Sequence, residues 1–113
     1  MLMMLNAELK KPAELSNSEF YSVWLREAEI ALEAMRTTDK VRALWKIAGQ
    51  HSVIAVFDVD SADELDELLL GMPVFAEGYS HIVAHLEWNV LRDYTSWAEQ
   101  LERLSGEQDN SDS

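Results

Sequence analysis

Cysteine is absent from the 113-residue chain, which excludes disulfides, thiolate metal sites and cysteine nucleophiles. Positive charge is scarce: 9 Lys and Arg stand against 21 Asp and Glu, for a formal net charge of −12. Such a surface repels phosphate backbones and anionic headgroups, so nucleic acid and membrane are excluded as partners. No apolar run approaches the ~18 residues of a membrane span. The opening Met1-Leu2-Met3-Met4-Leu5 has neither a basic start nor a small-residue cleavage site, so no signal peptide is expected there. Together these absences fit a cytoplasmic protein. The chain's length allows one domain with one core.

What is present reads as β-α-β-β-α-β followed by one more helix. Residues 1 to 9 are apolar and end at Lys10-Lys11-Pro12, a strand and then a break. Ser16 and Glu19 form a capping-box pattern, predicting a helix that starts near Asn17 and is ended by Thr37, Thr38 and Asp39. Within it Phe20, Val23, Trp24, Ala28, Ala31, Ala34 and Met35 recur at helical spacing. Strands are expected over 41–48 and 52–59, with Gly49-Gln50 as a tight turn between them. A turn that short makes paired residue numbers sum to 99. It puts Val41, Ala43, Trp45, Ile47, Ile54, Val56 and Asp58 on one face, and Arg42, Leu44, Lys46, Val53, Ala55 and Phe57 on the other. Both faces are mostly apolar, so both need cover.

Ser61 and Glu64 repeat the capping pattern ahead of Leu65, Leu68 and Leu69. Gly71 suits a left-handed residue past the helix end, and Pro73 stops continuation. From Tyr79 to Trp88 the pattern alternates His81, Val83, His85 against Ile82, Ala84, Leu86, which predicts the last strand. Four strands and two helices in this order predict an α+β, ferredoxin-like sandwich over residues 1–88. Val90, Tyr94, Trp97, Leu101 and Leu104 then step by four and three, an apolar seam on an amphipathic helix over 89–105. Residues 106–113 carry no apolar side chain, and a disordered tail is expected.

Three segments share a family's wording: Trp45-Lys46-Ile47-Ala48-Gly49, Phe57-Asp58-Val59 with Ser61 two residues on, and Gly71-Met72-Pro73-Val74-Phe75. In order and spacing they resemble the muconolactone isomerase family over about residues 1–86. The resemblance implies a dimeric α+β barrel and a homodimer or larger homo-oligomer. It also implies a cofactor-free shift of a double bond in a small unsaturated lactone or ring-cleavage product, with no metal. Such a shift needs a base, often an acid, and stabilisation of an enolate oxygen. A carboxylate-bearing substrate also needs a cation.

Lys46 matches the family's basic residue after the tryptophan, and Arg42 shares its predicted face. Both are substrate-contact candidates, and ordinary ion pairing is the plain alternative. His51, past the turn where the family more often has tyrosine, and Glu77, before the last strand, are candidate bases. Tyr79 is a candidate hydrogen-bond donor. Trp45 and Phe75, with Trp24 and Phe57, are candidates to line an apolar pocket. His81 and His85, read as ~13 Å apart on one strand face, are too distant to share a metal.

The sequence departs from the family in the first helix, where a lysine and a glutamate are usual. Counting back from Trp45 puts Leu25 and Ala28 at those positions, beside Arg26, Glu27 and Glu29. A one-residue shift turns a helical side chain by ~100°. The alternative reading is a non-catalytic relative that binds a small molecule or serves as an assembly subunit.

Overall fold

In the computed structural model, residues 1–112 are described, those beyond Gly106 by their backbone alone. The elements are β1 (Leu2–Leu9), α1 (Asn17–Thr37), β2 (Val41–Lys46), β3 (Ser52–Asp58), α2 (Ala62–Leu70), α3 (Pro73–Ala76), a 3-10 turn (Ser80–Ile82), β4 (Val83–Val90) and α4 (Tyr94–Asp112). The disordered tail expected over 106–113 coincides with the last turns of α4, which reach Asp112, and Ser113 lies outside the described residues. All strand pairs are antiparallel in the order β2-β3-β1-β4, the ferredoxin-like arrangement.

Local chemistry explains most boundaries. Ser16 Oγ accepts from the Glu19 amide at 3.1 Å, and Glu19 Oε1 accepts from the Ser16 amide at 3.1 Å. That reciprocal box satisfies two otherwise unpaired donors and starts α1 at Asn17. At α2 only half of the box forms: Ser61 Oγ takes the Glu64 amide, while the Glu64 carboxylate pairs with Lys40 at 2.7 Å. Gly71 is right-handed (φ −79°), contrary to the left-handed expectation. Glycine matters there because a Cβ would sit 3.2 Å from the Glu67 carbonyl. Pro73 begins α3 instead of merely ending α2, its missing amide harmless at the first helical position.

The β2–β3 register follows the predicted sum of 99 from Ala43↔Val56 to Lys46↔Val53. The turn is one residue earlier than expected: the Gln50 amide bonds the Ile47 carbonyl at 3.1 Å, and Gly49 takes φ 80°. An irregularity between Val41 and Ala43 pairs Val41 with Phe57. This corrects the predicted faces. The bulge turns Val41 into the core at 3% exposure, and Arg42 lies exposed at 3.5 Å from Asp58. The last strand is also shorter at its start than predicted. His81 lies in the 3-10 turn and only His85 in β4, so the two do not share a strand face. At its end β4 runs on to Val90, so the first member of the predicted helical seam belongs to the sheet and α4 begins at Tyr94.

Helices α1 to α3 cover one sheet face. The buried residues there form two groups, one around Met3, Leu5, Val41, Ala55, Phe57 and Val59, the other around Leu9, Phe20, Val74 and Ile82. The opposite sheet face carries Met4, Ala43, Trp45, Ile54 and Val56 with no helix over it among the described residues, and Trp45 is 60% exposed.

Candidate functional site

Between the two buried groups lies a cavity of about 370 Å3. Its floor is the helix-side row of the sheet, with Leu5, Ala7, Leu44, Val53, Ala55 and Phe57. Its roof is α1, through Trp24, Glu27, Ala28, Ala31 and Leu32, and its end wall is Leu69, Met72, Val74 and Phe75. Small side chains open the space: Ala7, Ala55, Ala28 and Ala31 face it where larger residues would fill a core. Among the described residues that line it, Glu27 and Lys46 are the two charged ones. An apolar hollow with few polar groups is the usual form of a small-molecule site.

Glu27 is half-buried, and its Oε2 accepts from the Val74 amide at 2.8 Å. Withdrawal from water pushes its pKa above the usual carboxylate value, against the lowering effect of that hydrogen bond. The nearby Glu77 carboxylate pushes in the same upward direction. The Val74 amide is free to donate because it lies in the first turn of α3, where amides have no helical partner. Pro73 and the register of α1 thus jointly hold one carboxyl at the cavity wall.

The structure distributes the sequence candidates unevenly. Lys46 and Phe75 line the cavity, as do Trp24 and Phe57, while Trp45 borders it from β2 with its register on the uncovered sheet face. Lys46 is at the end of β2, its Nζ 3.2 Å from the Ile47 carbonyl. His51 sits beside the cavity in a shallow depression that it shares with Tyr21, Trp24, Lys46, Gly49 and Gln50. Its ring packs 5.5 Å from Trp24 and 5.7 Å from Phe20, with Nε2 3.5 Å from the Tyr21 hydroxyl.

Arg42, Glu77 and Tyr79 do not line the cavity. Arg42 faces Asp58. Glu77 is held by Arg26 through contacts of 2.6, 2.9 and 2.7 Å, and this pairing lowers its pKa below the usual carboxylate value. Tyr79 stacks on His81 at 6.3 Å. The cavity carboxyl that residue counting did not single out is Glu27. The available signal was its spacing from the cavity-lining Trp24, Ala28 and Ala31, which puts it on the same side of α1.

The sheet order, the helices on one face and the cavity between them define a ferredoxin-like α+β protein with an apolar hollow under its first helix. The family model described as Muconolactone delta-isomerase matches residues 1–90, and the chain belongs to that family. It is 31% identical over 75 residues to the Muconolactone Delta-isomerase of Acinetobacter baylyi, covering 66% of this chain and 77% of that protein. A Rhodococcus opacus Muconolactone Delta-isomerase is 44% identical over 43 residues, 38% of this chain, and the match spans only 46% of that relative's length. The crystal structure of a muconolactone isomerase superposes with a TM-score of 0.65 at 27% identity, covering 82% of this chain and 90% of that one. α4 lies beyond the part the family model matches.

Proposed function

We propose that the chain is an isomerase that moves a double bond in a small unsaturated lactone bearing a carboxylate, with Glu27 carrying the proton. One observation supports it above the rest: a carboxyl with a raised pKa at the wall of an apolar cavity whose other charged residue is Lys46. Glu27 as carboxylate removes a proton from carbon next to the conjugated carbonyl system. The electron pair moves into the ring carbonyl as an enolate, and the proton returns from Glu27 to a different carbon. Nothing is oxidised or reduced, and no atom is gained or lost. A base with an elevated pKa is a stronger proton acceptor and also a competent donor for the return step. Lys46 supplies the cation for the substrate carboxylate or the enolate oxygen. His51, at the rim, meets a substrate through the depression it shares with Lys46, and Glu77 serves to position Arg26 and to set the field at Glu27.

The same reading includes a homo-oligomer formed through the uncovered sheet face. Ile54→Lys should lower the mass in sedimentation, and an unchanged mass would refute that part.

Turnover of a muconolactone-type substrate by wild type and Glu27→Gln is the test of the chemistry. Gln keeps the Val74 hydrogen bond, so the fold is retained while the proton carrier is lost. A fall of ~10²–10⁴-fold in kcat with little change in KM is expected, the usual weight of a proton-transfer group. Unchanged kcat would sink the assignment. Ligand binding by a wild type that turns nothing over would favour the binding-protein reading instead.

A further inference from the structure

Two helix faces in this chain carry matching seams, and among the described residues neither is covered along its length by another element, Tyr21 alone meeting the His51 ring. On α4 the seam is Tyr94, Trp97, Leu101 and Leu104, spaced three, four and three. Among the described residues no other element packs along α4, and the molecule is drawn out to 67 × 28 × 22 Å. Tyr94 is 78% exposed, Leu101 41% and Leu104 42%. Asp93 anchors the start by accepting from the Thr95 amide at 2.7 Å. Arg92 lies over the Trp97 ring at 5.2 Å and donates to Gln100 at 2.7 Å, which holds the first turns together and leaves Trp97 half-buried while the rest of the seam stays exposed.

The second seam is the outward side of α1: Tyr21, Leu25, Ala28, Leu32 and Met35, spaced four, three, four and three. Leu25 is 59% exposed and Leu32 52%. Ala28 and Leu32 also line the cavity, so this seam runs along the cavity's opening.

We propose that α4 of one copy of this chain packs along the α1 seam of a second copy and closes that copy's cavity. Equal repeats near 3.5 residues are what two helices need to interlock along several turns. Ala28, the small residue at the centre of the α1 seam, leaves room for a large side chain from the facing helix. If the exchange is reciprocal, six aromatic rings and the aliphatic chains between them lose exposure. With ~150–250 Å2 for each fully covered ring, this approaches the ~1,600 Å2 of a stable interface. The contact uses the helix side of the molecule, so it is separate from pairing of the sheet faces. It does not depend on the isomerase assignment.

The experiment uses Leu101→Glu on α4 and Leu25→Glu on α1, each in the full chain. Both side chains are largely exposed, and circular dichroism verifies that the fold is intact. Each substitution should lower the mass measured by sedimentation at ~10 µM protein, within the nM-to-µM range in which stable interfaces persist. Leu25→Glu should also speed hydrogen exchange of amides 94–106, although the change lies on a different helix. A parallel Ile54→Lys variant, on the sheet face, should leave that exchange slow. If both glutamate variants keep the wild-type mass, the pairing is refuted. If Leu101→Glu alone changes mass, or exchange in α4 is indifferent to Leu25→Glu, α4 docks elsewhere and the proposal is equally refuted.

Discussion

Glu27 and Glu77 approach one another from different parts of the chain and meet opposite fates. Glu27 comes from the roof helix, gives up water, and receives one amide hydrogen bond; its pKa rises. Glu77 comes from the loop after α3, keeps its solvent, and receives a two-pronged guanidinium from Arg26; its pKa falls. The two regions show that proximity to a candidate cavity does not make a carboxylate reactive. Burial without a compensating cation raises proton affinity, and a paired cation removes it. Arg26 and Glu27 are adjacent in sequence, so one helix sends a cation outward to quiet Glu77 and a carboxyl inward to stay basic.

The largest effect that sharpens this contrast is on turnover. Glu27→Gln should cost ~10²–10⁴ in kcat, whereas Glu77→Gln should retain most activity. Equal losses would erase the distinction between the two residues. Next comes Lys46→Met, which should mainly raise KM for a carboxylate-bearing lactone. A preserved KM would move the cation's role elsewhere.

The pH dependence of kcat/KM gives a finer measure. The proposed mechanism needs Glu27 ionised, so on that reading the acid limb should lie above the ordinary carboxylate range, in line with its raised pKa. Glu77→Gln removes a repelling charge and should move that limb to lower pH. Arg26→Gln leaves the Glu77 charge uncompensated and should move it to higher pH. Limbs that stay fixed in both variants would show that the two carboxylates do not sense each other.

The smallest effects are on stability. Glu27 has a folded pKa above its unfolded value, so its contribution is fully present below the unfolded pKa and lost as pH rises through the folded one. Glu27→Gln should therefore raise the thermal midpoint near neutral pH and leave it unchanged in acid, where both side chains are neutral. Glu77 runs the other way: its lowered pKa contributes above the unfolded value and fades as pH falls through the folded one. Because its pair with Arg26 is solvent-exposed, Glu77→Gln should hardly move the midpoint at any pH. Scanning calorimetry across pH distinguishes the two.

Much of the fold was legible because its signals are local. The Ser16–Glu19 box and the apolar alternation of β3 each act over a few residues and appear where the pattern put them, and the glycine turn at Gly49 is displaced by a single residue. Lys46 and Phe75, two of the candidates named from the sequence, line the cavity. Tertiary contact decided the rest. The bulge at Val41–Ala43 reversed which hairpin face Val41 joins, because burial of a valine outweighs a regular ladder. The 3-10 turn parted His81 from His85, since Ile82 is fully buried and the chain must bend to place it. Glu77 and Glu27 look equally solvated in the sequence. Only the packing of α1 on α3 gave one a guanidinium and the other an apolar wall, and a pKa is set by those surroundings, which lie about fifty residues away along the chain.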